Sequence, residues 1–325
     1  MGMYPQITKV AKYVPDNSVS NHDLSQLLDT SDEWVFSRTG IKSRHISLKE
    51  TTSDMGIEVA KKLMIDKDVL SLDFIIVATM TSDYATPSTA CLIQGAIGAK
   101  HAFAFDVSAA CSGFISALST AEMFLSSGKY KTGIVIGAET MSNILDWTDR
   151  STAVLFGDGA AGVLLETTSS TPRFLDSYLE SDGTRYRSLR ANQLAPKTPF
   201  KEACEDVVIG LEMEGKQIFD FGLRDVSHNI TTLLTREANQ EVALDYVLAH
   251  QANVRILDAI AKKTKLPREM FLSNVVNHGN TSAASIPLLL ADSIENGILA
   301  LNSGQTVLMV GFGGGLTLGS LLITL

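Results

Sequence analysis

The stretch "CSGFISALSTAEMFLSSG", residues 111–128, has a counterpart further along the chain, "NTSAASIPLLLADSIENG", residues 280–297. Each reads as a helix with an apolar face. Each ends on a glycine, Gly128 or Gly297, 17 residues after its opening residue, where a C-terminal cap is expected. The correspondence extends outward in both directions. "LDFIIVA" (72–78) precedes the first helix and "LDYVLAH" (244–250) the second, and both read as buried strands. Cys111 lies 39 residues after Leu72, and Asn280 lies 36 after Leu244. After each helix comes a short apolar strand, "GIVIG" (133–137) or "TVLMVG" (306–311). A glycine turn and another strand follow, in "FGDGAAGVLLE" (156–166) and "FGGGLTLGSLLITL" (312–325). A repeat kept in this order predicts an α/β chain of two pseudo-symmetric halves, 1–170 and 171–325. Two such halves can pack so that equivalent helix starts, at Cys111 and Asn280, face one shared site.

Composition narrows the class. The chain has 325 residues, 45% hydrophobic and 19% charged, which fits a globular protein with a large core. A net charge of −9 weighs against general nucleic-acid binding. The apolar runs "FIIVA" and "IPLLLA" are far too short to span a membrane. The N-terminal "MGMYPQITKV" lacks the basic-then-apolar order of a signal peptide. Three cysteines suggest no disulfide framework and fit a reducing cytoplasm, and the six scattered histidines give no zinc-ligand spacing, so no metal is expected.

Cys111 stands among the small residues Ala109, Ala110, Ser112 and Gly113, at the expected start of a helix. A helix N-terminus carries partial positive charge, which lowers a thiol pKa, and small neighbours admit a substrate. A buried cysteine is also a common packing residue, and the local pattern leaves both readings open. Cys91 and Cys204 lack this setting and are expected to pack or to lie at the surface. His250 ends an apolar strand before the helical "QANVRILDAIAKK", and Asn280 lies in "VVNHGNTSAAS". The repeat brings a thiol, an imidazole and an amide toward one place.

"DVSAACSGF", "AHQANVRI", "NHGNTSAAS" and "GFGGGLTLGS", with "TSDEWVFSRTGI" (30–41) and "DWTDRSTAVLFGDGA" (146–160), resemble in order and spacing the motifs of the β-ketoacyl-acyl carrier protein synthase III family. The resemblance covers nearly the whole chain. It implies the thiolase-like fold, five layers in the order αβαβα, a homodimer and no cofactor. The implied reaction is a decarboxylative condensation of a short acyl-CoA with malonyl-acyl carrier protein, initiating fatty-acid synthesis. Cys111 would carry the acyl group, while His250 and Asn280 would stabilise the enolate. The backbone N–H groups of Cys111 and Gly314 would form the oxyanion hole. Thiolases carry a second reactive cysteine where "GFGGGLTLG" has none, and elongating synthases have a histidine where Asn280 stands. His278 is then a supporting residue.

The resemblance also assigns substrate surfaces. Trp34 would stack on the adenine of CoA, with Arg38 and Arg150 beside it. Thr30, Met213, Gly215, Phe219, Ala252 and Asn253 would line the path of its pantetheine arm. The carrier protein would dock on Gln251, Ala252, Asn253, Val254 and Arg255, extended by Lys262 and Lys263. Arg255, Lys262 and Lys263 fall at i, i+7 and i+8, one face of a helix, and a basic face suits an acidic carrier. Thr86, within "SDYATPSTA" (82–90), would reach an acyl pocket across the dimer. "GDGAAG" (157–162) fits a dinucleotide-binding pattern, but the "VLLE" after it reads as a strand where that pattern needs a helix. Two rivals stay open: a relative specialised for polyketide or quinolone starters, and a non-catalytic partner that only binds a carrier protein.

Overall fold

The computed structural model describes residues 3–194, 199–200 and 207–325. Five strands form the first sheet: β1 (Tyr4–Tyr13), β2 (Phe74–Ala78), β3 (Phe103–Val107), β4 (Thr132–Glu139) and β5 (Gly159–Ser169), in the order β1-β5-β4-β2-β3. Four form the second: β6 (Phe174–Ser181), β7 (Tyr246–Ala249), β8 (Thr306–Gly313) and β9 (Thr317–Thr324), in the order β6-β9-β8-β7. The two share a plan. In the first, β4 pairs antiparallel with β5 and parallel with β2; in the second, β8 pairs antiparallel with β9 and parallel with β7. Where the first sheet has β3, the second has only a single parallel bridge from Val247 to Phe271.

The main helices are α1 (Asp32–Thr39), α2 (Thr52–Leu63), α3 (Thr89–Ile97), α4 (Gly113–Ser126), α5 (Gly215–Phe221), α6 (Ser227–Thr235), α7 (Val254–Thr264) and α8 (Ser285–Glu295). Helices α4 and α8 lie between the sheets. Their Phe114, Leu118, Ile286 and Leu290 share one core with Ile76 and Val135 of the first sheet and Val307 and Met309 of the second. Helices α2 and α3 cover the outer face of the first sheet, and α5 to α7 that of the second. The result is the five-layered αβαβα order. Strand β2 is buried on both sides, Phe74, Ile76 and Ala78 facing the inner helices and Ile75 and Val77 the outer ones. That double burial explains its unbroken apolar sequence. Each fully buried side chain of this kind contributes about 1.5–3 kcal/mol.

Gly128 and Gly297 both take left-handed φ, 74° and 71°, as expected of C-terminal caps. The helix starts differ from expectation. Each inner helix is preceded by a 3-10 turn, Ala110–Ser112 or Ser282–Ala284, and each turn opens on a left-handed residue, Ala110 at φ 46° and Ser282 at 48°. The structural equivalent of Cys111 is therefore Ala283, not Asn280. Ala283 also lies 39 residues after Leu244, the same separation as Cys111 from Leu72. The offset arises because α4 has 14 residues and α8 has 11. Asn280 sits just ahead of its turn and reaches the same place from outside the repeat.

The sixth residue of each central strand is a glycine lying against the other half's turn. A Cβ on Gly137 of β4 would fall 2.4 Å from the Ala283 carbonyl oxygen. One on Gly311 of β8 would fall 2.9 Å from the Ser112 Cα. The glycines of "GDGAAG" run directly into β5, and Asp158 accepts from the backbone N–H groups of Ser47 and Ser142 at 2.8 and 2.9 Å, so this segment is a strand-leading turn.

Gly137→Ala is expected to push the Ser282–Ala284 turn off β4 and to cost about 1–3 kcal/mol, as overpacking does. Urea unfolding measures the cost. Unchanged stability would mean that the turn yields without penalty.

Candidate active site

A cavity of about 780 Å³ opens where the two halves meet, and Cys111, His250, Asn280, Phe312, Gly313 and Gly314 are among the residues lining it. Cys111 is held at its base by the turn before α4 and is 5% exposed. Its thiol donates to the Ser282 hydroxyl at 3.5 Å. Gly313 is pressed against it: a Cβ there would lie 2.8 Å from the Cys111 Cβ and 3.2 Å from its Sγ. The helix-start position predicts a lowered pKa. The structure overturns this, because burial pushes the thiol up to about 12, with the Ser282 bond opposing and the nearby Glu139 charge adding to the rise. Cys111 is therefore a neutral thiol at rest.

His250 leaves the end of β7, where its N–H donates to the Val310 carbonyl at 2.7 Å. Its ring stands edge-on to Phe312, with centroids 5.2 Å apart. Nδ1 lies 2.7 Å from the Ser285 hydroxyl, which also accepts from the Gln251 N–H at 3.4 Å. The Ser285 hydroxyl can give its hydrogen to Nδ1, and the tautomer that accepts it carries the imidazole proton on Nε2. Burial lowers the imidazole pKa to about 3, so the ring stays neutral through the physiological range. Asn280 is held by β-like bonds to the 155–157 segment, its N–H donating to the Leu155 carbonyl. Its Oδ1 accepts from the Ser282 N–H at 2.9 Å, so its amide N–H groups are the side that remains for a ligand. The site thus presents one buried thiol and two buried neutral donors, an arrangement suited to negative charge developing on a thioester oxygen.

His278 lies away from the cavity. Its Nε2 is 2.9 Å from Asp292, which also accepts from Asn274 and pairs with Lys12. Burial would raise the Asp292 carboxyl, but these bonds outweigh it and hold the group well below the usual range.

The outer assignments separate into groups. Arg38, Met213, Gly215, Phe219, Ala252, Asn253 and Arg255 all line the cavity. Asn253 caps α7 by accepting from the Ile256 N–H at 2.9 Å. Trp34 does not line the cavity; its ring lies under the Arg38 and Arg150 guanidiniums, at 4.5 and 5.2 Å. Arg150 also bonds Asp29, the neighbour of Thr30. Lys262 and Lys263 are exposed near the far end of α7, about 10 Å along the helix from Arg255. Val254 is half-buried, packed against Gly40. Gln251 departs from the docking role the resemblance gives it: it is 1% exposed, and its amide is used up on Ala249, Ser273 and Asn274. Thr86 is exposed and does not line the cavity of its own chain. Cys91 is exposed, and Cys204 lies outside the described residues. Sequence reasoning did not single out Ser282, Ser285 or Glu139. The two serines were inside a quoted motif, but their bonds run to residues more than 30 positions away. Among the described residues no group of three or more His, Cys, Asp or Glu could hold a metal.

Comparison with known proteins identifies the family. Residues 105–183 match the family model described as 3-oxoacyl-[acyl-carrier-protein (ACP)] synthase III, and residues 234–325 match that family's C-terminal model. The beta-ketoacyl-[acyl-carrier-protein] synthase III of Enterococcus faecalis is 55% identical over the full length of both chains. The crystal structure of 3-oxoacyl-[acyl-carrier-protein] synthase III from Aquifex aeolicus superposes with a TM-score of 0.90 at 39% identity, covering 99% of this chain and 100% of that one. A priming beta-ketosynthase of the R1128 polyketide pathway also reaches 0.90, at 31% identity, covering 100% and 97%.

The imidazole of His250 is expected to remain neutral, with its proton on Nε2, from pH 5 to pH 8. Nitrogen-15 shifts of the ring measure this. A titration near the ordinary value of about 6.5 would contradict the burial argument.

Proposed function

The chain belongs to the 3-oxoacyl-[acyl-carrier-protein] synthase III family, of thiolase fold, and from that premise we propose how its residues divide the work. The enzyme is a condensing acyltransferase of fatty-acid initiation: it joins an acyl-CoA starter to malonyl-acyl carrier protein and releases CO2 and CoA. The observation that carries the assignment of residues is the meeting of Cys111, His250 and Asn280 at one buried cavity.

Cys111 Sγ attacks the starter thioester, and CoA leaves. Malonyl-acyl carrier protein then enters, and loss of CO2 converts its malonyl group to an enolate. His250 Nε2–H and the Asn280 amide donate to the enolate oxygen. The enolate carbon attacks the acyl-Cys111 carbonyl, and the new oxyanion is received by the backbone N–H groups of Cys111 and Gly314. Collapse expels the Cys111 sulfur and leaves a β-ketoacyl carrier. Neutral donors suit this sequence, because each negative charge is transient and a fixed cation would over-stabilise the malonyl carboxylate. One half of the chain, 1–170, brings the nucleophile, and the other, 171–325, brings the two donors.

Arg38, Met213, Gly215, Phe219, Ala252 and Asn253 guide the pantetheine arm, with Thr30 at the outer end. Adenine stacking on Trp34 inserts between the indole and a guanidinium of Arg38 or Arg150. Arg255 at the mouth, with Lys262 and Lys263 beyond it and Ala252 to Val254 between, receives the acidic carrier. The working unit is a homodimer in the cytoplasm, needing no cofactor. Strand β3 supports the dimer: it is a sheet edge with all five residues partly exposed, the kind of edge that pairs with another chain. Pairing there brings Thr86 toward the partner's acyl pocket. The likeness to the polyketide priming enzyme favours a second reading, in which the starter is a longer or branched acyl group.

Cys111→Ala should abolish the acyl-enzyme mass shift seen after exposure to acyl-CoA. His250→Ala or Asn280→Ala should retain that shift but slow decarboxylation of malonyl-acyl carrier protein about 10²–10³-fold, the usual effect of losing one such donor. Condensation by Cys111→Ala at the wild-type rate would refute the covalent route. Arg255→Glu should raise the KM for the carrier substrate about tenfold or more while leaving that for acyl-CoA unchanged. Equal losses toward both substrates would refute docking at Arg255. A panel of acyl-CoAs tested for the mass shift identifies the starter.

A further inference from the structure

The two backbone N–H groups assigned above to the oxyanion hole come from different halves of the chain, and the inference here rests on that assignment. Cys111 belongs to the turn before α4, and Gly314 to the turn joining β8 to β9. No short stretch of chain fixes the distance between them. The Gly314 turn is also the more adaptable of the two. It holds three successive glycines, 313–315, and Gly315 takes a φ of 137°, a conformation that other residues rarely adopt. An oxyanion hole works only if its donors are in place when charge develops, so such a turn needs a tether.

Thr317 supplies one. Its Oγ1 accepts from the Ser112 hydroxyl at 2.8 Å, and the carbonyl oxygens of Gly314 at 3.0 Å and Ala109 at 3.2 Å are acceptors for its own hydrogen. The Ser112 hydroxyl also lies 2.8 Å from the Ala109 carbonyl, which accepts the Ser112 N–H at 3.1 Å. Ala109 and Ser112 bracket Cys111 in its turn, and Gly314 and Thr317 span the other, so the cluster joins the two. The Thr317 methyl holds the glycine turn as well: a Cβ on Gly315 would lie 2.6 Å from Thr317 Cγ2. The turns touch where the donors meet, since a Cβ on Gly313 would lie 2.9 Å from the Cys111 nitrogen and one on Gly314 3.6 Å from the Ala110 Cβ. Ser112 is buried and Thr317 half-buried, and neither lines the cavity. Hydroxyl bonds of this kind add little net stability, but they fix direction, which a pair of donors requires.

We propose that Thr317 and Ser112 are positioning residues that set the spacing of the Cys111 and Gly314 N–H groups. They govern the two steps in which a tetrahedral oxyanion forms: acylation of Cys111, and attack of the enolate on the acyl-Cys111 carbonyl. Decarboxylation places its charge at His250 and Asn280 and is independent of them. Because the tether serves the transition state, it sets the rate at saturating acyl-CoA and not the half-saturating concentration.

The test is rapid-quench mass spectrometry of acyl-Cys111 formation over a range of acetyl-CoA and isobutyryl-CoA concentrations. CO2 release from malonyl-acyl carrier protein is measured alongside, without acyl-CoA. Thr317→Val keeps the methyl and removes the hydroxyl; Thr317→Ser does the reverse. Thr317→Val and Ser112→Ala should slow acylation at saturation about tenfold or more, the effect of a small misplacement at the reacting centre, with half-saturation and CO2 release unchanged. Thr317→Ser should restore most of the rate. The double variant should be little slower than either single one, as expected of two groups in one cluster. Acylation at the wild-type rate in both Thr317→Val and Ser112→Ala would overturn the proposal. So would a parallel fall in acylation and CO2 release, or a Thr317→Ser variant as slow as Thr317→Val. Ser112→Ala carries the test alone if Thr317→Val does not fold. Absence of acyl-Cys111 in wild type with both acyl-CoAs would instead sink the covalent route itself.

Discussion

Two glycines set how closely the halves approach. Gly137 and Gly311 occupy the same position in the central strand of each sheet, and each faces the turn of the other half across a gap with no room for a Cβ. The contact is reciprocal, so each turn is seated on the central strand of the other half. Cys111 comes from the turn seated on β8, and Ser282, which orients Asn280, from the turn seated on β4. The reactive centre is thus a property of the interface between halves.

Desolvation by burial governs the electrostatics of the site. Burial raises the Cys111 thiol, lowers the His250 imidazole and raises the Glu139 carboxyl, and in each case desolvation is the largest influence. All three shifts favour the neutral form. A thiol and an imidazole held neutral bind a thioester without competing ions, and the donors act at full strength only when charge develops on the substrate. The helix N-terminus behind Cys111 adds to this as a fixed dipole. At rest, however, its pull on the thiol is smaller than the cost of placing a thiolate in so apolar a pocket.

Much of the fold was legible in the chain because its signals are local or repeated. The capping glycines, the doubly buried run of β2 and the ordered strands after each inner helix all follow from periodicity. That Cys111, His250 and Asn280 would line one cavity was legible because each sits at an element boundary within a distinct motif. What escaped depends on distance through space. Equal spacing to Gly128 and Gly297 paired Cys111 with Asn280, whereas the turns pair it with Ala283; a helix shortened by one turn mimics a register that spacing cannot detect. Gln251 reads as a surface residue beside Asn253, yet its amide is consumed inside the turn. Ser282 faces the Cys111 thiol from 171 residues away, and no local pattern links the two.

The neutral, enclosed thiol has a consequence for the protein's chemical durability. Peroxides and general alkylating agents react with exposed thiolates. A nucleophile that becomes nucleophilic only as a thioester arrives offers such agents almost nothing to attack. Selectivity of such a thiol is a matter of timing as much as of shape, with burial keeping the sulfur out of reach until a substrate enters the cavity.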